Sequence, residues 1–252
     1  MPFTVSHLAA VLPARLRWPS ELGTALCVGA ITPDVLYFVP GRPGAAMTHG
    51  LVGLFTLDLA LGLTLFVAWR ALLARPLHDL APRWWRARVA PPGRLAWGAL
   101  PVAALGVLLG AATHVVWDAF THRWGAGVEL VPALADPVFT VSGYTVWGYR
   151  LAQHLSTALG LAFIVWTLWR WARRTPPRVP VALRSPRRTW ALLLAGAVLG
   201  GGVAVAIEWS PGAAIPLDDL RTFVWAFVSG TATGLAAAVA GYALWWHRAT
   251  GS

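Results

Sequence analysis

The sequence predicts an all-α protein, a polytopic transmembrane helical bundle of five long spans with an N-terminal broken or re-entrant helical segment. Three observations lead to this fold class. Only 12% of the 252 residues are charged, about half of the roughly 25% that is usual in soluble domains. The mean hydropathy is +0.60. Long apolar runs recur along the chain, and tryptophans stand near their ends, as in interfacial aromatic belts.

The five apolar runs are each close to the roughly 20 residues that cross a bilayer. In chain order they are Gly50–Leu73, Leu95–Phe120, Leu151–Trp171, Trp190–Trp209 and Thr222–Trp246. The last run is rich in Ala and Gly, which suits close helix packing in lipid. An earlier stretch, Glu21–Pro40, is nearly long enough to span. Because it contains Pro33 and Asp34, a span, a broken helix and a re-entrant segment all remain open.

The stretches between the runs predict one membrane domain over residues 1–252. Two of them, Arg70–Arg94 and Arg170–Arg188, are rich in proline and arginine and are expected to be loops. Residues 1–171 hold the chemically interesting motifs, and residues 190–246 add two further transmembrane helices.

The distribution of arginine predicts the orientation. All twenty basic residues are arginine, and the net charge is +10. Most lie in the two Arg-rich stretches, which the positive-inside rule assigns to the cytoplasm. The chain is therefore expected to be a multi-pass protein of the bacterial inner membrane. This placement accounts for the basic charge, so the bilayer is the expected partner and no nucleic acid is; the oligomeric state is left open.

The segment from His114 to His122 suggests a metal site. His114, Asp118 and His122 are spaced at i, i+4 and i+8, which puts two imidazoles and a carboxylate on one face of a helix. Such a face offers several nitrogen and oxygen ligands to a divalent cation. A polar stripe satisfied by other helices is the alternative. With the single cysteine, Cys27, no multi-thiolate site can form within the chain.

The predicted topology brings further ligands to the same, extracytoplasmic end. His49 precedes the first run, and Asp34 joins it if Glu21–Pro40 approaches the outer surface. Asp58 lies about two turns inside the first run and is a candidate catalytic or ligand-orienting group. The side of the membrane on which His7 lies depends on whether Glu21–Pro40 spans.

Several motifs together resemble an uncharacterised bacterial family of integral-membrane proteins. They are the opening Met-Pro-Phe-Thr-Val-Ser-His7, Ile-Thr-Pro-Asp34, Thr-His49-Gly and Thr-His114-Val-Val-Trp-Asp118-Ala-Phe-Thr-His122. The resemblance runs from Met1 to about Leu161. Gln153 and Ser156 fit a Gln-x-x-Ser pattern of that family, and with His154 they form a second tier of candidates.

A more distant similarity is to membrane-bound metal-dependent hydrolases and, through them, to zinc-dependent phospholipase C. That similarity implies a divalent cation, with Zn²⁺ expected. The metal candidates that follow from spacing, topology and resemblance together are His7, Asp34, His49, His114, Asp118 and His122. The catalytic candidates are Asp58 and His122, as general base or as ligands of a second ion.

The function expected from these features is metal-dependent hydrolysis of an ester or phosphodiester, possibly lipid-linked, at the extracytoplasmic interface. Two alternatives stay open. One is a non-catalytic membrane protein in which a metal or a polar network only locks the helices. The other is an ion- or proton-coupled transporter, although the ionisable residues gather at one end of the predicted spans.

Overall fold

The computed structural model describes residues 3–17, 21–39, 47–141, 143–177, 187–208 and 217–251, and helices dominate them. The all-α prediction is thus confirmed, with one small antiparallel hairpin added. The chain divides into two compact units. The first comprises Met1–Val35, Gly44–Phe66 and Ala96–Pro176, and the second comprises Leu36–Pro43, Val67–Leu95 and Pro177–Ser252.

The helices and strands follow in chain order. A 3₁₀ turn at Thr4–His7 leads into α1 (Leu8–Arg17). After it come α2 (Glu21–Val35), α3 (Leu51–Leu80), the short α4 (Arg83–Arg86), α5 (Leu100–Ala119), α6 (Ala126–Leu130), β1 (Pro137–Val141), β2 (Tyr144–Trp147), α7 (Gly148–Arg174), α8 (Arg187–Glu208) and α9 (Leu217–Thr250).

Among the residues that the structure describes, four helices are long and apolar enough to cross a membrane. They are Leu51–Leu80, Trp97–Ala119, Gly148–Arg174 and Ala226–Thr250. The predicted run Trp190–Trp209 forms most of α8, but its apolar part, Thr189–Val205, is shorter than a span within the described residues. The fifth span therefore stays a prediction. Trp209 and Pro40, at the ends of two predicted segments, lie outside the described residues.

The helices extend beyond the predicted runs at their arginine-rich ends, so the loop prediction is wrong there. Helix α3 continues to Leu80, and α7 continues to Arg174. Hydropathy marks only the apolar part of a helix, whereas long arginine side chains allow it to continue into the polar interface. Glu21–Pro40 begins with a 15-residue helix followed by a 3₁₀ turn at Leu36–Phe38. Whether this segment re-enters the membrane stays a prediction.

In the first unit, α2 and α5 pack with their backbones in close approach. A Cβ atom added at Gly29 would lie 2.2 Å from the carbonyl oxygen of Val107, and one at Gly110 would lie 2.2 Å from that of Leu26. A larger residue cannot occupy either position without moving a helix. This close contact places the last two turns of α5 against the last turns of α2.

In the second unit, α8 and α9 pack in the same way. A Cβ atom at Gly200 would lie 2.5 Å from the carbonyl oxygen of Gly230, and one at Gly234 would lie 2.6 Å from that of Gly196. The fifth apolar run, in which sequence analysis noted Ala and Gly, therefore does pack closely. Polar side chains at the α9 end form ordinary pairs: the Trp246 indole donates to Asp79 Oδ2 at 2.9 Å.

Candidate metal site

Four side chains from distant parts of the sequence meet in the first unit. Asp34 stands in the last turn of α2, His49 two residues before α3, and His114 and Asp118 in the last turns of α5. Each offers one ligand atom, and these atoms all lie within 4.8 Å of one another. The structure thus brings together four of the six predicted metal ligands.

The distances between these atoms match ligands that share an ion. His49 Nε2 is 3.4 Å from Asp34 Oδ1 and 3.4 Å from Asp118 Oδ2. His114 Nε2 is 3.5 Å from Asp34 Oδ1 and 3.4 Å from Asp118 Oδ2. These separations exceed the roughly 2.7–2.9 Å of a charge-assisted hydrogen bond. Two ligands about 2.1 Å from one cation, at an angle of about 110°, lie about 3.4 Å apart.

Burial makes these atoms costly without a ligand. Asp34 and His114 are fully buried, and Asp118 is 5% exposed. Among the residues that the structure describes, Asp34 Oδ1, His114 Nε2 and Asp118 Oδ2 have no hydrogen-bond partner. Buried polar atoms are almost always paired, and a cation between these three atoms could pair with all of them. The His49 side chain is 22% exposed and marks the side from which solvent reaches the group.

Hydrogen bonds behind the two imidazoles fix their orientation. The Nδ1–H of His114 donates to the carbonyl oxygen of Ala30 at 2.8 Å. The Thr48 hydroxyl donates to the carbonyl oxygen of Pro33 at 2.8 Å, and its oxygen lies 3.1 Å from His49 Nδ1. A neutral imidazole that donates through Nδ1 carries its lone pair on Nε2. Both rings therefore present a metal-binding nitrogen to the centre of the group.

The two carboxylates are also held by hydroxyl groups. Thr4 Oγ1 donates to Asp34 Oδ2 at 2.7 Å, and Thr121 Oγ1 donates to Asp118 Oδ1 at 3.4 Å. The roles of Thr4, Thr48 and Thr121 are not evident from the sequence alone. Each stands inside one of the histidine motifs, and that position is the available signal.

The carboxylates and the imidazoles of the group stabilise each other's charged forms. Burial alone would raise the pKa of the Asp34 carboxyl, but the imidazoles of His114 and His49 outweigh it and lower that pKa below its usual range. Burial lowers the pKa of His49, yet the carboxylates of Asp118 and Asp34 raise it to about 9. In the metal-free protein at neutral pH, His49 therefore holds a proton that a cation must displace.

His7 lies beside this group but outside the set of four. Its ring is fully buried and stacks on that of His114, with centroids 3.7 Å apart and planes 16° from parallel. Its Nε2 is 3.4 Å from Asp118 Oδ1. Burial, together with the charge of His114, lowers the pKa of His7 to about 4, so this imidazole is neutral.

His122 also lies outside the set of four, and the predicted three-residue helix face is wrong at this position. Helix α5 ends at Ala119, so His122 stands in the following turn. There its Nδ1 is 3.0 Å from the carbonyl oxygen of Asp118, to which it donates, and 3.6 Å from Asp118 Oδ2. Its side chain is 34% exposed. His122 therefore borders the group on a side that solvent reaches.

Asp58 occupies an unusual stretch of helix. It ends a π-helical segment, Leu54–Asp58, in α3, and such segments are frequent at functional sites. The side chain is fully buried, and within the described part of the chain neither carboxylate oxygen has a hydrogen-bond partner. The charges that act on it come from His49 and His114. A catalytic or orienting role for Asp58 stays a prediction.

The three second-tier residues on α7 lie in different environments. Gln153 is buried, and Ser156 accepts a hydrogen bond of 3.1 Å from the Trp117 indole, which ties α7 to α5. His154 is exposed and is not brought to the group. Two histidines of the second unit bond to backbone carbonyl oxygens instead: His78 to that of Val89 and His247 to that of Leu72.

Comparison with known proteins identifies the family. The family model described as a domain of unknown function (DUF4184) matches residues 1–244. The chain belongs to the DUF4184 family. The match continues through most of α9, well past the limit near Leu161 that the motifs indicated. No curated protein and no solved structure gives a significant match.

Proposed function

We propose that this DUF4184 protein is a membrane-embedded, metal-dependent hydrolase that cleaves a lipid-linked ester or phosphodiester. The observation that carries the proposal is the convergence of Asp34, His49, His114 and Asp118, whose facing atoms are spaced as ligands of one cation. The more distant similarity to membrane-bound metal-dependent hydrolases implies the same chemistry.

The donor set favours zinc. Two imidazole nitrogens and two carboxylate oxygens are typical zinc ligands, and two carboxylates neutralise a divalent cation. The chemistry that such a cation supplies is activation of water near neutral pH and stabilisation of negative charge on a phosphoryl or carbonyl oxygen. Asp34 and Asp118, held by Thr4 and Thr121, supply the two negative charges that would neutralise the cation.

Two residues beside the four suit the proton transfers of hydrolysis. Asp58, a buried carboxylate with no hydrogen-bond partner among the described residues, is proposed to accept the proton of the attacking water. Because His122 donates through Nδ1 to the Asp118 carbonyl oxygen, its Nε2 carries a lone pair and can serve as a second base. The residue that takes the proton then returns it to the leaving oxygen. Water adds to the phosphorus or carbonyl carbon, and the bond to the leaving oxygen breaks.

The segment after α5 supports a lipid-linked substrate. Residues 137–149 contain no Asp, Glu, Arg, Lys or His, and β1 is exposed along its whole length. Trp124 is 83% exposed and Leu130 is 79% exposed. Because this segment connects α5 to α7, it lies at the same end of these two spans as Asp118. Exposed aromatic and aliphatic side chains there suit the lipid interface.

The proposed side of the membrane is extracytoplasmic, and the support is the arginine distribution. A reporter inserted within residues 125–148, such as a reporter enzyme active only in the periplasm, tests this directly. Periplasmic activity is the expected result. A cytoplasmic signal would reverse the orientation and place the site at the inner face.

One observation favours a second candidate, a structural metal site. Four protein ligands form a closed zinc site, whereas catalytic zinc usually keeps a position open for water. The exposure of His49 and His122 favours an open site instead. Cobalt-substituted protein separates the two: azide shifts the visible absorption of an open site and leaves that of a closed site unchanged.

The test of the proposed function combines metal analysis with hydrolysis assays on detergent-purified protein. The variants are Asp118→Ala and His114→Ala, and His247→Ala is the matched control because His247 lies in the second unit, where it donates to the Leu72 carbonyl oxygen. The substrates are bis-p-nitrophenyl phosphate, p-nitrophenyl octanoate and phosphatidylglycerol in mixed micelles.

The expected result is bound zinc and hydrolysis of at least one substrate in wild type and His247→Ala, with both lost in the two site variants. Hydrolysis should also disappear on chelation and return with zinc. Unchanged metal content in Asp118→Ala and His114→Ala would show that these two residues do not bind a metal. Bound metal without hydrolysis of any substrate, together with no azide shift, would favour the structural role.

A further inference from the structure

Arg86, in the second unit, carries buried donors that its contacts within the chain do not use. It ends the short helix α4, which follows the candidate span Leu51–Leu80. Its Nη1 donates to the backbone carbonyl oxygen of Asp79 at 3.3 Å. Its Nε and Nη2 are buried, and neither has a hydrogen-bond partner among the described residues. Because a buried donor without a partner is costly, above all on a charged group, these two nitrogens suit an acceptor from outside the chain.

The two nitrogens lie on one edge of the guanidinium. The Nε–H and one Nη2–H of an arginine are nearly parallel, and together they match two oxygens attached to one phosphorus or carbon atom. The bond from Nη1 to the Asp79 carbonyl oxygen does not involve this edge and holds the guanidinium in place. The fitting ligand is therefore an anion that offers two oxygens side by side.

The charge of the surrounding segment also favours an anion. Residues 67–95 contain one acidic residue, Asp79, and six arginines: Arg70, Arg75, Arg83, Arg86, Arg88 and Arg94. Asp79 Oδ2 accepts a hydrogen bond from the Trp246 indole at 2.9 Å, whereas Arg86 reaches Asp79 through its backbone carbonyl oxygen. The segment thus keeps an excess of positive charge around Arg86.

The position of Arg86 in the chain favours phosphate over carboxylate. Arg86 comes shortly after the end of a candidate span, and the neighbouring Trp84 is 50% exposed. Arginine and tryptophan beside the end of a span typically lie at the level of the lipid head groups, where phosphate is the abundant anion. The positive-inside rule predicts the cytoplasmic face for this stretch, and the cytoplasmic leaflet is rich in anionic lipids.

We propose that Arg86 binds a phosphate group through its Nε–H and Nη2–H, supplied by the head group of an anionic phospholipid or by free phosphate. Arg88, whose Nη1 donates to the Trp84 carbonyl oxygen at 2.9 Å, adds positive charge from the same turn. Arg86 as a whole is partly exposed while the two nitrogens are covered, so the side chains over them must shift when phosphate enters. The site is independent of the proposed hydrolysis, because its residues belong to the second unit.

The experiment measures lipid binding by native mass spectrometry of the full chain in detergent. The protein is first stripped with a chelator, so that metal-dependent hydrolysis cannot consume the lipid. The probes are dioleoyl phosphatidylglycerol and dioleoyl phosphatidylcholine, with inorganic phosphate as competitor. Wild type should bind phosphatidylglycerol saturably and more tightly than phosphatidylcholine.

Three variants test whether the paired donors, and not charge alone, hold the phosphate. Arg86→Gln should weaken phosphatidylglycerol binding by about 10- to 100-fold, because it removes hydrogen bonds from a charged donor. Arg86→Lys keeps the charge but offers no parallel pair of donors, so binding should still fall by about tenfold. Arg94→Gln, the matched control, removes an exposed arginine of the same segment and should leave binding unchanged.

The outcomes identify the source of the phosphate or overturn the site. Binding of phosphatidylglycerol that depends on Arg86 and resists inorganic phosphate would support a lipid head group, whereas displacement by inorganic phosphate would support free phosphate. Equal losses in Arg86→Gln and Arg94→Gln, or full binding in Arg86→Lys, would show that diffuse charge attracts the lipid and would overturn the proposal. Wild type that binds neither phosphatidylglycerol nor inorganic phosphate saturably would overturn it even if the Arg86 variants fail to fold.

Discussion

Two helix pairs, α2 with α5 and α8 with α9, are both packed through glycines, but only the first pair carries the candidate metal site. In each pair, glycines bring the backbones so close that a Cβ atom would fall within 2.2–2.6 Å of a facing carbonyl oxygen. Small residues at the interface are how membrane helices pack without help from water. Close packing in itself therefore says nothing about function.

The difference lies in the polar atoms at the end of each pair. At the α2–α5 end, Asp34 and Asp118 present buried oxygens with no hydrogen-bond partner among the described residues. Around the α9 end, His247 and Trp246 bond the Leu72 carbonyl oxygen and Asp79 Oδ2, although Thr231 Oγ1 of α9 is also buried without such a partner there. The convergence of several carboxylate and imidazole atoms within 4.8 Å, and not glycine packing or a single unpartnered atom, therefore marks the site.

The largest expected effect on zinc affinity comes from adding a single methyl group to the α2–α5 interface, and the same change in the α8–α9 interface should leave the affinity unchanged. Gly110→Ala places a Cβ atom against the Leu26 carbonyl oxygen, which should separate α2 from α5 and break the bond from His114 to Ala30. Overpacking costs roughly 1–3 kcal/mol, and zinc affinity should fall by about 10- to 100-fold.

Two control substitutions lie in α8, which belongs to the other helix pair. Gly200→Ala meets the Gly230 backbone and should destabilise the protein to a similar extent without changing zinc affinity. Gly202→Ala meets nothing within 4 Å and should change neither. Thermal unfolding and zinc titration of the three variants measure both quantities. Equal loss of zinc affinity in Gly110→Ala and Gly200→Ala would contradict the expectation that only the α2–α5 contact positions the metal ligands.

Zinc affinity should depend on pH because His49 must lose a proton to bind. Its pKa in the metal-free protein is raised to about 9, so affinity should rise with pH up to that value and fall by about tenfold per unit below it. The same shift stabilises the metal-free protein below pH 6.5, and this contribution disappears as the pH rises to 9.

Calorimetric zinc titration in two buffers of different ionisation enthalpy detects the released proton. Release of at least one proton per zinc at pH 7.5 is expected. In His49→Ala the release should fall by about one proton, and most of the affinity should be lost. An affinity independent of pH between 6 and 8.5 would show that His49 is not a ligand.

A smaller effect is expected from the hydroxyl group behind Asp34. Thr4→Val keeps the shape of the side chain and removes the donor to Asp34 Oδ2. Loss of such an orienting bond typically lowers metal affinity by about 10- to 100-fold, and the lower end is expected because Asp34 keeps its position in α2. Thr140→Val, in the exposed hairpin, is the control. Competition with a zinc-binding dye measures the affinities.

The smallest effect should come from the second unit. Trp246→Phe removes the donor to Asp79 Oδ2 in an exposed pair, so stability should fall by less than about 1 kcal/mol. Zinc stoichiometry and affinity should not change. A loss of zinc in this variant would mean that the polar pairs of the second unit support the site.

Much of the site could be predicted because its ligands lie in dense local motifs. Asp34, His49, His114 and Asp118 were predicted from spacing, arginine distribution and family resemblance. His122 was misplaced because helical spacing says nothing about where a helix ends, and α5 stops at Ala119. The role of Thr4 could not be predicted, since a hydroxyl bond across thirty residues depends on tertiary packing.

The helices, too, could be predicted where the sequence carries a strong local signal. Four apolar runs marked the spanning helices, because about 20 apolar residues have few other stable environments. The hairpin of β1 and β2 escaped notice, since a short uncharged segment between two spans has no clear helical or strand period. The helix extension from Leu73 to Leu80 was missed because hydropathy falls at the interface, although backbone hydrogen bonding continues.

X-ray absorption at the zinc edge of the purified protein reports directly which atoms bind the ion. We expect about four nitrogen and oxygen neighbours at about 2.0–2.1 Å, with outer-shell scattering from two imidazoles that is lost in part in His114→Ala. Protein that binds no zinc, or a zinc shell unchanged by that substitution, would contradict a metal site at these four residues.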